Sequence, residues 1–319
     1  MPATEHNYKA SRAPFLRSDD TTKNIMIEML VALCFPIAFA CYLYGVQAVI
    51  WRVLFAGCCC YFADLVATLI SRRKSTSAGF SSFVTGAILA LLLPANVDFS
   101  ILLAGSLFAI IVVKETFGGI GNNIFNPAAA GLAFVTVVYA DKIFWYPQPF
   151  AAEETLMRSL SYVLKFGGIP AVSTTDMIIG NFCGPMGATN TIIIVCCFVF
   201  LVLRRTISAR IPITYIATIA IIALVFPRAN CTSFESVIYE LGSGYVMFAA
   251  VFMLTDPVTA PKHRFSKHLY AITAGILTMV FRHLGGYEQG VCFAILLMNA
   301  LSHSFDRLTL YLKARGLAA

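Results

Sequence analysis

Long apolar runs separated by short polar segments recur along nearly the whole chain. A bilayer core needs about 20 apolar residues per helix, and fewer where neighbouring helices bury the helix ends. Counting with that length predicts about ten membrane spans. The predicted spans are Ile25–Val46, Val49–Ile70, Phe80–Ala95, Phe99–Thr116, Ile124–Ala140, Thr191–Leu203, Ile211–Pro227, Gly244–Leu254, His268–Phe281 and Gly290–Leu301.

One long connection, beginning at Asp141, divides these spans into two groups of five. Many transporter folds have such a plan because they are built from internal repeats. We therefore expect an all-α integral membrane protein with two five-helix halves and one long extracytoplasmic loop. The predicted segments are an N-terminal cytoplasmic stretch 1–24, a first half 25–140, the loop 141–190, a second half 191–303 and a cytoplasmic tail 304–319.

Composition and charge support a membrane location. Hydrophobic residues make up 59% of the chain and charged residues 12%, and the mean hydropathy is +0.79, which is unlike a water-soluble domain. The net charge is +7, but the basic residues lie between the spans and most fall on one side of the ten-span plan. The positive-inside rule then predicts cytoplasmic termini, and this distribution argues against nucleic-acid binding.

The stretch Lys114–Gly131 interrupts the apolar pattern with glycines and three asparagines. Glycines such as Gly118 and Gly119 allow a ligand to approach the main chain closely. Asn122, Asn123 and Asn126 add neutral hydrogen-bond donors and acceptors that could hold a heterocycle. The alternative is a re-entrant loop that satisfies only its own backbone, and the spacing alone does not separate the two interpretations.

Three acidic residues are candidates for an ion path because acids in or near membrane spans are usually functional. They are Asp64, Glu115 and Glu288. For Asp256, between a threonine and a proline, a structural role in a turn is favoured over ion binding. The cysteines and histidines show no metal-ligand spacing, so no metal site is predicted, and any chemistry would require a bound cofactor.

Three long motifs carry a resemblance to a known family. They are KETFGGIGNNIFNPAAAG at Lys114–Gly131, FMLTDPVTAP at Phe252–Pro261 and GGYEQGVCFAILLMNA at Gly285–Ala300. The chain resembles the RnfD family of the Rnf complex, which is homologous to the NqrB family of the sodium-pumping NADH:quinone reductase. The resemblance implies a flavin-carrying subunit, not catalytic alone, of a complex that couples electron transfer between ferredoxin and NAD to movement of sodium ions or protons.

The resemblance also implies two flavins. Family members carry FMN joined through its phosphate to a threonine in an extracytoplasmic S-x-A-T segment. The matching region here, Ala171–Met177, lacks the alanine; a one-residue gap after Ser173 makes Thr175 the acceptor, with Thr174 as the runner-up. On sequence alone a capped turn at these hydroxyls is favoured. A second, non-covalent flavin, riboflavin, is expected beside the loop that contains Gly118, Gly119, Asn122, Asn123 and Asn126.

The implied partners are the other Rnf membrane subunits and the peripheral subunits that bear flavin and iron–sulfur clusters, with ferredoxin and NAD acting indirectly. The implied location is a prokaryotic inner membrane. Two alternatives stay open: an NqrB-like component of a quinone reductase, and a cofactor-free channel or solute transporter. A transporter would purify without colour.

Overall fold

A computed structural model describes residues 22–71, 78–151 and 155–315. Most of the predicted N-terminal segment 1–24, the basic residues Arg72, Arg73 and Lys74, and the last four residues of the predicted tail lie outside the described part. Within it the chain is mainly helical.

The helices of the first half precede the long loop. They are α1 (Thr22–Tyr44), α2 (Val46–Ile70), α3 (Ala78–Leu91), α4 (Phe99–Leu107), its π-helical continuation Phe108–Glu115, and α5 (Pro127–Val138). The loop holds α6 (Ala140–Ile143), α7 (Leu160–Lys165), α8 (Thr174–Ile179) and an antiparallel pair of two-residue strands, β1 (Tyr146–Pro147) and β2 (Leu156–Met157).

The second half follows the loop. Its helices are α9 (Thr191–Leu203), α10 (Arg210–Val225), α11 (Ser233–Gly242), α12 (Val246–Phe252), α13 (Arg264–Leu284) and α14 (Val291–Ala314). A helix thus occupies each of the ten predicted segments. Among the described residues, α1 and α2 are long and apolar enough to cross a membrane by themselves, and α3, α5, α9 and α10 contain shorter apolar stretches.

The structure departs from the predicted plan in four places. The helix of the fifth segment begins at Pro127 instead of Ile124, because Asn126 is its N-cap and the glycine-rich stretch before it is not helical. The eighth segment is a helix of only seven residues. The tail expected from residue 304 is instead a continuation of α14. The small strand pair adds β structure to a fold expected to be all-α.

Helix α11 lies outside the ten predicted segments. Thr232 caps its first turn and Glu235 reaches back to the Thr232 backbone, which is a reciprocal capping box. The S/T-x-x-E spacing in the sequence could have shown this helix. Its position places Glu240 inside the protein, where it is 1% exposed.

The two predicted halves share one continuous apolar core. Cys197 of α9 donates to the Ala32 carbonyl of α1 at 3.3 Å. At the C-terminal end of α9, Arg204 pairs with Glu28 of α1 at 2.6 Å. Residues of both halves therefore fix the relative position of α1 and α9.

Small residues allow α2 and α3 to pack closely. A Cβ added at Gly86 of α3 would lie 2.4 Å from the Ala56 carbonyl oxygen of α2, so the two backbones are nearly in contact. Close approach through small residues is a common way for helices to associate in membranes. Gly131 of α5 approaches the Gly105 carbonyl of α4 in the same manner, at 2.8 Å.

We expect Gly86→Ala to destabilise the protein by about 1–3 kcal/mol, because the added methyl group forces α2 and α3 apart. Thermal unfolding of the detergent-solubilised protein measures the effect. Gly286→Ala is the matched control, since a Cβ there would meet nothing within 4 Å. Equal melting temperatures for the two variants would contradict the close packing.

Candidate functional site

A cavity of about 270 Å³ lies where the first sequence motif meets the second. We call it the asparagine cavity. Its lining comes from α1, α3, the π-helical segment, the loop before α5 and the segment after α12. The lining residues are Thr22, Ile25, Met26, Met29, Ser81, Val84, Thr85, Ile88, Lys114, Ile120, Gly121, Asn123, Asn126, Pro127, Ala128, Phe252, Asp256, Pro257 and Val258.

The glycines of the loop shape its backbone. Gly118, Gly119 and Gly121 have φ angles of 115°, 83° and 87°, a region that other residues rarely adopt. The turn closes through a hydrogen bond of 3.0 Å from the Gly119 N–H to the Lys114 carbonyl. Gly118, Gly119 and Asn122 do not line the cavity, whereas Gly121 does. The predicted loop therefore contributes fewer residues to a cavity wall than the sequence suggested.

Asn126 is committed to the structure of the protein. Its Oδ1 accepts from the N–H groups of Ala128 at 3.0 Å and Ala129 at 3.2 Å, which caps α5. Its Nδ2 donates to the Met253 carbonyl at 3.1 Å, and its own N–H donates to Asn299 Oδ1 at 2.9 Å. The residue expected to bind a flavin is instead a junction between α5, α12 and α14.

Asn123 is the better candidate for a ligand contact. It is 7% exposed, it lines the cavity, and its Nδ2 donates to the Phe125 carbonyl at 3.1 Å. Its Oδ1 has no hydrogen-bond partner in the described part of the chain. One side of this carboxamide therefore remains available to a ligand.

Asn299 is a structural residue of the third motif that the sequence analysis did not single out. Its Nδ2 donates to the Tyr270 hydroxyl at 3.1 Å, and its Oδ1 holds the backbone of Asn126. An asparagine in an otherwise apolar helix was the available signal, because a buried carboxamide needs partners.

A buried ion pair stands beside the asparagine cavity. The Lys114 ammonium lies 3.3 Å from Asp64 Oδ1 and donates to Ser82 Oγ at 2.7 Å. The two charged side chains are 2% and 3% exposed. The ten-span plan places Lys114 among the basic residues of the cytoplasmic side, and the structure buries it instead. Glu115, the next residue, is partly exposed and does not line the cavity.

The Thr255–Pro261 segment forms another wall through a turn at Asp256. Asp256 Oδ1 accepts from the Val258 N–H at 3.2 Å, and its Oδ2 accepts from the Thr259 hydroxyl at 3.3 Å. These bonds are the Asx turn that the sequence favoured over ion binding. That prediction is confirmed.

The hydroxyl cluster of the long loop lies at the first turn of α8. Ser173 is the N-cap; its Oγ accepts from the Asp176 N–H at 3.1 Å and donates to Asp176 Oδ2 at 2.6 Å. Thr175 Oγ1 lies 2.8 Å from Ser173 Oγ. Ser173, Thr174 and Thr175 are all exposed, so the capped turn leaves both threonine hydroxyls accessible.

The hydroxyl cluster and the asparagine cavity lie at opposite ends of the helices. The chain after α8 packs on the start of α9, where Asn190 donates to the Ile179 carbonyl. The other end of α9 pairs with Glu28 in the second turn of α1, close to the cavity residue Ile25. Thirteen residues of α9 span about 20 Å.

Glu288 fastens the long loop to the second half. Its Oε1 accepts from the Ser159 hydroxyl at 2.9 Å and from the Tyr146 hydroxyl at 3.2 Å. Burial raises the pKa of this carboxyl to about 7, although the hydrogen bonds from Ser159 and Tyr146 act to lower it. The position joins loop and helices and is remote from the asparagine cavity lining.

A second buried charge cluster involves Glu240 and two arginines that the sequence analysis did not connect. Glu240 Oε2 accepts from Arg282 Nη1 at 2.6 Å and from Arg228 Nη2 at 2.9 Å. Arg282 also donates to the Ser243 carbonyl at 2.7 Å. Since each buried charge has an opposite partner, the desolvation penalty is offset. The cluster joins the segment before α11, the end of α11 and the end of α13.

Comparison with known proteins gives a consistent match along the chain. A family model described as the NQR2, RnfD, RnfE family matches residues 9–313. The RnfD protein of the Na⁺-translocating ferredoxin:NAD⁺ oxidoreductase complex of Acetobacterium woodii is 31% identical over 313 residues, which cover 96% of this chain and 94% of that protein. Its counterpart in the proton-translocating ferredoxin:NAD⁺ oxidoreductase complex of Clostridium ljungdahlii is 29% identical, with 95% and 94% covered.

We expect the stability of the protein to fall as pH rises from about 4.5 to about 7, because the folded state keeps a proton on Glu288 that the unfolded chain releases. Glu288→Gln should remove this contribution, since a neutral amide can still accept from Ser159 and Tyr146. Melting temperatures in detergent near pH 5 and pH 8 measure it. The same pH difference in wild type and variant would contradict the assignment.

Proposed function

The chain belongs to the NQR2, RnfD, RnfE family, and we propose that it is the flavin-carrying, electron-transferring membrane subunit of an ion-translocating ferredoxin:NAD oxidoreductase complex. The observation that carries this proposal is the match to the corresponding subunits of two such complexes along more than nine-tenths of the chain. Its partners would be the other membrane subunits and the peripheral subunits with flavin and iron–sulfur clusters.

In the proposed topology all ten helical segments cross an inner membrane and both termini are cytoplasmic. Exposed apolar side chains support lipid contact, because a water-soluble surface rarely carries large apolar patches. Phe35 of α1 is 53% exposed, Trp51 of α2 63% and Ile221 of α10 61%. The short helices would be covered by their neighbours, as the seven-residue α12 is in the core.

The hydroxyl cluster fits the attachment of FMN, which supplies one-electron and two-electron redox chemistry when bound. An ester to a phosphate requires an accessible hydroxyl, and Thr175 offers one that contacts the Ser173 hydroxyl. The Ser173 hydroxyl is also directed to Asp176, which places that carboxylate away from the Thr175 oxygen. Thr175 is therefore the proposed acceptor and Thr174 the alternative.

The asparagine cavity fits a non-covalent flavin, riboflavin in this proposal. Its 270 Å³ is near the lower end of about 300–1,000 Å³ for small-molecule pockets. Apolar side chains of α1 and α3 offer contact surface, and Asn123 offers a carbonyl acceptor. Lys114 supplies a cation where the cavity meets the Asp64 carboxylate.

The Lys114–Asp64 pair gives a physical reason for coupling to ion movement. A negative charge in the asparagine cavity would compete with Asp64 for the ammonium group, because Coulomb energies are large where water is excluded. Asp64 would then gain affinity for a sodium ion or a proton. Glu115 follows Lys114 directly and remains a secondary candidate, whereas Glu288 is assigned to the attachment of the loop.

We expect Thr175→Ala to abolish covalent flavin, because the substitution removes the oxygen that would form the ester. Denaturing gel electrophoresis with in-gel flavin fluorescence measures it on the purified protein. Thr174→Ala is the matched control and should keep its fluorescence. Loss in the control alone would move the acceptor to Thr174, and a dark wild-type band would favour the cofactor-free transporter.

We expect Asn123→Leu to weaken retention of non-covalent flavin about tenfold, the value of one hydrogen bond to a buried carbonyl. Chromatography of the flavin released by acid from the folded complex measures it. Asn122→Leu is the matched control because Asn122 is exposed and does not line the cavity. Equal riboflavin content in both variants would place the flavin elsewhere.

A further inference from the structure

A second cavity, of about 280 Å³, lies between the end of α9, the start of α10 and the start of α13. We call it the lysine cavity. Its lining residues are Thr206, Ile207, Ser208, Ile211, Thr255, Pro257, Ala260, Pro261, Lys262 and Lys267. It lies at the end of the helices where the predicted topology places the cytoplasmic surface.

The turn before α10 gives this cavity a hydroxyl with no partner. Ser208 Oγ is buried and makes no hydrogen bond in the described part of the chain. The other two hydroxyls of the lining are already used, since Thr206 donates to Glu28 and Thr255 donates to the Val251 carbonyl. A buried hydroxyl without a partner indicates a missing water or ligand.

The charges around the lysine cavity are mainly positive. Within the described residues, neither Lys262 nor Lys267 forms an ion pair with a carboxylate. The nearby acid, Asp306, accepts instead from the backbone N–H groups of Lys262 at 3.0 Å and His263 at 3.2 Å. Arg210, at the start of α10, adds a further positive charge close to Lys267.

Apolar surface continues outward from these charges. Ile213 of α10 is 57% exposed and Phe265 of α13 is 43% exposed, and each follows a basic residue by one to three positions. A ligand with both a negative head and apolar tails would contact both features at once. Basic pockets between membrane helices bind anionic lipid headgroups for this reason.

We propose that the lysine cavity binds the phosphate group of an anionic phospholipid. The phosphate oxygens accept from Lys262, Lys267 and the Ser208 hydroxyl, and the acyl chains lie against α10 and α13. Free phosphate shares the head chemistry but would not use the apolar surface beside it.

The site adjoins the asparagine cavity through one residue. Pro257 lines both cavities, and its neighbours Asp256 and Val258 line the asparagine cavity. An occupant of the lysine cavity therefore presses on the Thr255–Pro261 segment from the side opposite to the asparagine cavity. Lipid binding would restrict the movement of that common wall.

The experiment uses native mass spectrometry of the purified complex in detergent, with dioleoyl phosphatidylglycerol added and dioleoyl phosphatidylcholine as the neutral comparison. We expect preferential retention of phosphatidylglycerol by the wild type. The double variant Lys262→Ser/Lys267→Ser should bind it about 30-fold more weakly. The charge-retaining Lys262→Arg/Lys267→Arg should restore binding, which separates loss of charge from loss of fold.

Lys313→Ser/Arg315→Ser is the matched control, because it removes two exposed basic residues that do not line the cavity. Equal loss in this control and in the lysine variant would overturn the site. Displacement of the lipid by millimolar inorganic phosphate would overturn the lipid as the source of the phosphate group. Neither readout depends on bound flavin, so the outcome is independent of the proposed electron-transfer function.

Discussion

The carboxamide of Asn126 is the contact on which the arrangement of the motifs depends. It caps α5, and the same residue is bonded to the backbone after α12 and to the side chain of Asn299 on α14. In apolar surroundings each of these backbone groups would otherwise lack a partner at a cost of several kcal/mol. A single residue thus holds elements from both halves around the asparagine cavity.

The buried charges follow the same constraint at two further places. Lys114 meets Asp64 beside the asparagine cavity, and Glu240 meets two arginines near the long loop. Removing one member of such a group leaves an unpaired charge away from water, which costs more than the pair contributes. The first pair adjoins a cavity and the second does not, so geometry favours function for the first and stability for the second.

The sequence predicts the helical segments well because apolar runs report burial or lipid contact directly. It could also show the turn at Asp256 and the cap before Pro127, which depend on local residue types. It could not separate Asn122 from Asn123, because the left-handed glycines before them decide which neighbour faces the cavity. Nor could it pair Lys114 with Asp64, since 50 positions separate them and only helix packing brings them together.

The π-helical segment Phe108–Glu115 ends at Lys114 and Glu115. Such a turn contains one more residue than an α-helical turn, and its conversion to an α-helix by loss of one residue would rotate the following side chain by about 100°. The ammonium group would then no longer meet the Asp64 carboxylate, although every residue of the pair and of the cavity remained. The length of this helix is therefore as much a determinant of the buried pair as the identity of its side chains.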